Sequence, residues 1–276
     1  MKIISFTNNK GGVGKSTSAV SVAAYFALKG IKTLLVDLDP QGNASYNLIE
    51  KENFTRTMLD AFNDNNIKAN ITETNVENLY LIPANLTLDS ANMLLINRYR
   101  KEDLLKELLK DVENEFELCV IDTSPALNVL TYNALVASNS VYIPVRAGGY
   151  ELEGMRNLLN VIKTIDKTFD PGMFFTQYQS NQKITQIIKS EIEDEFGPMM
   201  ESAIRQNVSL VETAVLKQPI FTYMPSSNGA VDYEALCKEI AKRENIKLPK
   251  TKRTRKTKKT EIEVEQELEL EGNKGE

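Results

Sequence analysis

The stretch that most constrains this chain is Asn8-Asn9-Lys10-Gly11-Gly12-Val13-Gly14-Lys15-Ser16-Thr17. It follows an apolar run, Ile3-Ile4-Ser5-Phe6, and precedes an alanine-rich segment from Ser18 to Lys29. That order predicts strand, glycine loop, helix. Glycines let backbone N–H groups converge on an anion without Cβ obstruction, and the helix start adds the positive end of its dipole. Lys15 is then placed to reach the β- and γ-phosphates of a nucleotide, and the Ser16 hydroxyl to ligate Mg²⁺, with Gly11, Gly12, Val13, Gly14 and Thr17 completing the cradle. The general phosphate-loop pattern, G-x-x-x-x-G-K-S/T, asks for glycine five residues before Gly14. Asn9 stands there instead, and a second lysine, Lys10, follows it.

The rest of the chain keeps a βαβ rhythm. A second apolar strand, Lys32-Thr33-Leu34-Leu35-Val36, ends at Asp37-Leu38-Asp39-Pro40-Gln41-Gly42-Asn43. In an open parallel sheet, ligands sit beyond the carboxyl ends of strands, where these aspartates fall. Pro40 disfavours helix at Asp39 and keeps it on the loop. Residues 44–77 are polar and asparagine-rich, with an amphipathic piece at Thr57–Phe62, and Leu79–Pro83 reads as a short strand. Leu94, Leu95, Leu104, Leu105, Leu108 and Leu109 recur at helix-like spacing, predicting a largely helical segment from Leu86 to Glu115. Leu118-Cys119-Val120-Ile121-Asp122 is an apolar run ending in an acid, 107 residues after Lys15. Such a buried strand delivers a carboxylate to the Mg²⁺ shell beside the Ser16 hydroxyl. A helix near Asn128–Ala137, a strand at Val141–Val145, a helix at Leu152–Phe169, a strand at Met173–Thr176 and a helix at Ile184–Phe196 follow. Pro219-Ile220-Phe221 reads as a last short strand or loop, and Tyr233–Arg243 as a closing helix. The predicted fold class is α/β, a phosphate-loop NTPase with a mostly parallel twisted sheet flanked by helices on both faces.

Composition narrows the chemistry. The chain has 276 residues and no histidine, which removes imidazole acid–base catalysis and most transition-metal sites. What remains is carboxylates, lysines, backbone amides and a hard cation. No apolar run approaches the roughly 18–20 residues of a membrane span, and the first strand begins at once, without a signal peptide. Cys119 and Cys237, far apart in core-like segments, read as buried apolar groups in a reducing compartment. A cytoplasmic protein is expected.

Charge is uneven. Eight of the thirteen residues Lys247–Lys259 are basic, whereas Glu261–Glu271 alternates glutamate with Ile, Val, Gln and Leu. Neither block can bury a core, so the expected organisation is an ATPase domain over 1–246 and a disordered tail over 247–276, basic (247–259) and then acidic (261–271).

With the Lys10 loop, the Asp39 turn and the Asp122 strand in hand, the chain resembles the ParA/Soj group of partition ATPases, within the wider deviant-phosphate-loop ParA/MinD family. The resemblance covers about residues 1–243 and is strongest in Lys10–Thr17, Leu34–Asn43 and Ile121-Asp122-Thr123-Ser124-Pro125; Tyr150–Met155 and Asn207-Val208-Ser209-Leu210 add to it. It implies a cytoplasmic ATPase, nucleoid-associated when ATP-bound, that uses ATP and Mg²⁺ and forms an ATP-dependent homodimer with two nucleotides sandwiched between the copies. It implies that Lys10 reaches across to the partner's phosphates, that Asp39 orients or activates the attacking water, that Asp122 holds Mg²⁺ through water, and that nonspecific double-stranded DNA and a ParB-like centromere-binding adaptor are partners. Adenine contacts would lie near Thr176–Gln177. Asp37 reads as structural support.

Two departures bear on DNA. Relatives often carry an arginine after the Asn-Val pair and another near a C-terminal Ser-x-Gly-Ala stretch; here Ser209 and Asn228 stand there, with Arg205 close but displaced. The tail offers Lys250, Lys252, Arg253, Arg255, Lys256, Lys258 and Lys259 as substitute phosphate contacts, which would make binding steeply salt-dependent. The alternative reading is a MinD-like positioning ATPase that cycles on a membrane, or another cargo-positioning ATPase. The membrane form needs a C-terminal amphipathic helix with an apolar face, and the glutamate-rich end would be repelled by anionic lipid.

Overall fold

In the computed structural model, which describes residues 1–50, 53–146, 151–165, 170–179 and 183–249, the apolar runs become the middle of one sheet. Strands β1 (Lys2–Phe6), β2 (Thr33–Leu38), β3 (Thr72–Glu73), β4 (Leu79–Ile82), β5 (Leu118–Thr123), β6 (Ser140–Arg146) and β7 (Gly172–Thr176) lie in the order β3-β4-β2-β5-β1-β6-β7. Neighbours run parallel, apart from β3, which pairs antiparallel with β4 at one edge. β2 and β5 are buried along their whole length. Strands covered on both faces carry continuous apolar sequence, which is how they could be read from sequence. The register sets Phe6 and Asp37 each opposite Asp122. The ends of the three central strands therefore meet at one edge, where an open α/β sheet places its ligand.

Helices α1 (Lys15–Leu28), α2 (Asn43–Tyr46), α3 (Met58–Asp64), α4 (Ala91–Ile96), α5 (Leu104–Lys110), α6 (Val129–Ala137), α7 (Glu151–Thr164), α8 (Lys183–Phe196), α9 (Val208–Leu216), α10 (Ile220–Tyr223) and α11 (Asn228–Arg243) cover the sheet. α1 and α11 share one apolar cluster; α3, α5 and α6 share another; α7 and α8 close over β6 and β7. Most of α1 is buried, because α10 and α11 cover its outer side. Its Ser18 hydroxyl lies 2.9 Å from that of Tyr233, and its Tyr25 ring meets Phe221 at 5.4 Å between centroids. The helix that carries the phosphate loop is thus an interior rod, held from both sides. None of the described helices is long and apolar enough to cross a membrane.

The segment 86–115 is largely helical as expected, in pieces: a 3₁₀ turn at Leu86–Ser90 followed by α4 and α5. The break is fixed from elsewhere in the chain. Asn133, on α6, accepts from the Leu105 amide at 2.9 Å and donates to the Lys101 carbonyl at 2.8 Å, and Arg100 takes a left-handed φ of 53°. Ile220–Tyr223 is a helical turn rather than a strand, because the Pro219 carbonyl accepts from both Thr222 and Tyr223 amides at 3.0 Å. The closing helix begins at Asn228, five residues early, where the Ser227 hydroxyl caps the Ala230 amide at 3.2 Å. Of the predicted helix 152–169, residues 166–169 lie outside the described residues, as do Tyr150 of the weaker motif and tail residues 250–276. Leu248, placed in the tail by composition, packs with Ile246 against the α1–α11 cluster, since an apolar side chain next to that face gains by burial.

The far end of α11 is tied back to the sheet by Glu244, whose side chain is 3% exposed. It accepts from the Tyr142 hydroxyl at 2.6 Å and from Ser140 at 2.9 Å, and pairs with Lys2 at 3.1 Å. Burial alone would raise its pKa; the bonds from Tyr142, Ser140 and Lys2 outweigh that and hold it below the usual range. Glu244→Gln is expected to cost about 1–3 kcal/mol of unfolding free energy at neutral pH. Because the folded-state pKa is depressed, the contribution is full above the unfolded value of about 4.5 and is lost as pH falls through the folded one. Urea melts of the two proteins should therefore differ at pH 7 and converge in acid; identical melts at pH 7 would refute the assignment.

Candidate nucleotide site

The loop between β1 and α1 is braced by backbone contacts from distant strands. Asn8, buried, donates to the Pro144 carbonyl at 2.8 Å and accepts from the Lys10 amide at 3.0 Å. Thr176 donates to the Val13 carbonyl at 2.7 Å, and Gln177 to the Gly12 carbonyl at 2.9 Å. Gly12 and Gly14 take φ of 72° and 86°, conformations that side-chain-bearing residues rarely adopt. Such turns aim successive N–H groups into one concavity. α1 starts at Lys15 with no side-chain cap. Its first N–H groups, which have no partner within a helix, are left to face an anion.

Lys15 is 6% exposed, and its ammonium donates to the Lys10 carbonyl at 3.0 Å. Burial lowers its pKa, while the nearby carboxylates of Asp122 and Asp39 act in the opposite direction. On the facing side, Asp37 is fully buried at the end of β2. Its oxygens accept from the Asp39 amide at 3.0 Å and from the Ser45 amide and hydroxyl at 2.9 and 2.7 Å. The Ser45 hydroxyl in turn accepts from the Ala84 amide at 2.9 Å. Burial pushes Asp37 up to about 6, against those hydrogen bonds. With both of its oxygens committed to the turn, Asp37 supports the site rather than entering it. Asp39 accepts from the Gln41 amide at 3.0 Å and lines the cavity.

Asp122 differs from both. It is fully buried, and neither carboxylate oxygen has a formed hydrogen bond. Burial pushes its pKa well above the usual range and the charge on Asp37 adds to this; Ser16 and Lys15 lie near enough to oppose it. A buried carboxylate without donors is costly unless a cation or bound water completes it. No cluster of three or more ligating side chains exists among the described residues. The Ser16 hydroxyl and the Asp122 carboxylate are the groups here that could hold a hard cation such as Mg²⁺, which would neutralise charge on a ligand's oxygens.

These groups surround a cavity of about 450 Å³ lined by Gly11, Gly12, Gly14, Lys15, Ser16, Thr17, Asp39, Gln41, Asn43, Asn47, Pro125, Gln177 and Ala214. Sharing its Gly14–Thr17–Gln177 wall is a second cavity of about 370 Å³, more apolar, with Ile204, Leu210, Val211 and Tyr233 beside the amides of Gln177, Gln206 and Asn207. The structure thus brings together Lys15, Ser16, Asp39 and the loop glycines, with Asp122 buried beside them. Lys10 is on the loop but does not line the cavity.

Arg205 lines the second cavity, and its half-exposed guanidinium bonds both oxygens of Asp232 on α11, the shortest contact being 2.7 Å. Cys119 and Cys237 are buried free thiols, with pKa values raised by desolvation. Thr123 donates to the Phe6 carbonyl at 2.9 Å and stitches β5 to β1 at the site. Sequence reasoning missed the bracing by Asn8, Thr176 and Gln177 and the role of Ser45. It also missed the α9 wall, for which the Asn207-Val208-Ser209-Leu210 match was the only signal.

Comparison with known proteins agrees with this geometry. A family model described as an AAA domain (AAA_31) matches residues 1–175. The chain is 37% identical to the chromosome-partitioning ATPase Soj of Treponema pallidum, over 88% of its own length and 98% of that protein's. It is 38% identical to the sporulation initiation inhibitor protein Soj of Bacillus subtilis, over 87% and 98%. Among solved structures, a putative plasmid partition protein of Borrelia burgdorferi bound to AMPPNP superposes with a TM-score of 0.76 at 28% identity, covering 88% of this chain and 99% of that one.

Proposed function

This chain belongs to the Soj/ParA family of partitioning ATPases, and from that premise we propose that ATP joins two copies face to face, each Lys10 reaching the phosphates held by the other copy, and that hydrolysis releases them. One observation carries the reading: of the two loop lysines, only Lys15 lines the cavity of its own protomer. In this reading the cation at position 10 acts in trans, as an arginine finger does, against charge that builds on the phosphoryl oxygens.

Within one site, the loop N–H groups and Lys15 bind the β- and γ-phosphates, and the second cavity takes the base between its apolar wall and its amides. Mg²⁺, when bound, neutralises phosphate charge. Asp122 and Ser16 hold its place, and Asp39 orients the attacking water and draws off its proton. Turnover built on positioning and electrostatics of this kind is slow until a partner completes the geometry, and a ParB-like adaptor is that partner.

The dimer binds nonspecific DNA, which places it on the nucleoid, and the basic residues from Lys250 to Lys259 supply phosphate contacts. Light scattering on a sizing column tests the first step. Wild type should pass from monomer to dimer with ATP and Mg²⁺ and return with ADP. Lys15→Ala, which gives up a charge-assisted phosphate contact and about 10–100-fold in affinity, should stay monomeric at ATP concentrations that saturate wild type. A wild type that remains monomeric with ATP bound would overturn the reading. On DNA, truncation after Pro249 should abolish ATP-dependent retention and its steep salt dependence; unchanged retention would move the contact to the folded body.

A further inference from the structure

Gly154 lies within the Tyr150–Met155 stretch, which the site described above leaves without a role. It sits in the first turn of α7 with an ordinary helical backbone, so no dihedral requires glycine there. Glycine in a helix is less stable than alanine, so its presence asks for a reason. Space supplies one. A Cβ built on Gly154 would stand 2.7 Å from Asn9 Oδ1 and 3.4 Å from the rest of that amide, closer than side chains tolerate. Asn9 Oδ1 is buried and has no hydrogen-bond partner. What faces it is the hydrogen that glycine carries where another residue has Cβ, an arrangement suited to a weak Cα–H···O contact.

Asn9 stands where the general phosphate-loop pattern has glycine, immediately before Lys10. Behind it the loop cannot yield: Asn8 is 2% exposed and bonded to both the Pro144 carbonyl and the Lys10 amide. A Cβ at Gly154 would meet the end of the Asn9 side chain, so that amide must shift, and the backbone beside it is the Asn9–Lys10 peptide. We propose that Gly154 is a positioning residue for the phosphate loop, its missing side chain setting where Asn9, and through it the Lys10 peptide, sits. The inference rests on the role given to Lys10 above. It adds that the start of α7 is mechanically coupled to that lysine, so that whatever displaces the first turn of α7 also moves the trans-acting group.

A double-mutant cycle tests it, with single-turnover ATP hydrolysis, affinity for a fluorescent ATP analogue and melting temperature read on each protein. Gly154→Ala should lower the hydrolysis rate about tenfold, the scale of a sub-ångström misplacement. Nucleotide affinity should fall by less than the rate, because Lys15 and the loop N–H groups are not themselves replaced, and the melting temperature should stay above the assay temperature, since the helix gain of alanine offsets part of the cost of the close contact. In an Asn9→Ala background, where the amide that clashes is gone, the same Gly154→Ala change should have no further effect. Full activity of Gly154→Ala, an equal loss in both backgrounds, or a loss of affinity matching the loss of rate would each overturn the proposal. Lys10→Ala measured alongside separates the two ideas. If it hydrolyses ATP normally, the trans role of Lys10 fails; if it is impaired while Gly154→Ala is not, only the coupling fails.

Discussion

Asp39→Ala is expected to bind ATP within a few-fold of wild type, to assemble, and then to hydrolyse about 10²–10⁴ times more slowly, the usual worth of a positioned general base. The expectation follows from how the three carboxylates at this edge are occupied. Asp37 is buried, with both oxygens bonded to its own turn. Asp122 is buried beneath the loop beside Ser16 and Lys15. Asp39 alone of the three lines the cavity. It also has a structural contact, since its Oδ1 accepts from the Gln41 amide, and loss of that bond could disturb the turn by itself. Asp39→Asn distinguishes the two. Its amide oxygen can still accept from Gln41, but it cannot take a proton from water. Single-turnover hydrolysis that is slow in both variants supports the water-activating role. An asparagine variant as fast as wild type would reduce Asp39 to a turn cap.

How much of this was legible in the sequence depends on where each feature is fixed. The Ile3–Phe6, Leu34–Val36 and Leu118–Ile121 runs could be read directly because parallel strands covered on both faces are apolar throughout, and because each ends at a ligand-facing loop. The phosphate loop is equally local: Gly12, Gly14, Lys15 and Ser16 act within a few residues of one another. The break in 86–115 is not local. Leucine spacing carries on past it, and what interrupts the helix is Asn133, from a helix formed some 30 residues later. The same holds for the bracing of the loop. Nothing near Val13 announces that Thr176 will hold its carbonyl, or near Asn9 that Gly154 will leave room for its amide. Leu248 shows the limit of composition as a guide, since a basic, polar context disguised a residue that packs on the core. Sequence located the chemistry because chemistry needs particular residue types close together. The supports that hold those residues come from packing between elements distant in the chain.

Lys10→Ala carries the largest expected effect. Lys15 and the loop amides remain, so ATP should bind within a few-fold of wild type, while hydrolysis falls by about 10³–10⁵, the range for a cation supplied in trans to phosphoryl transfer. A simple loss of rate does not by itself place the lysine in the other copy, but mixing does. Combine Lys10→Ala, which keeps Asp39 but offers no trans cation, with Asp39→Ala, which offers the cation but lacks the base. In a mixed dimer the Lys10→Ala protomer has its own Asp39 and receives Lys10 from its partner, so that one site is complete. The other site lacks both groups. Random pairing in a two-fold assembly therefore restores up to about a quarter of the wild-type sites from two inactive parents. A lysine that serves its own phosphates leaves every mixed site short of one group, and no activity returns. Recovery on mixing is the expected result. Its absence, with mixed dimers demonstrated by differently labelled protomers, would confine each site to a single copy and leave Lys10 as an ordinary cation on the lip of its own loop.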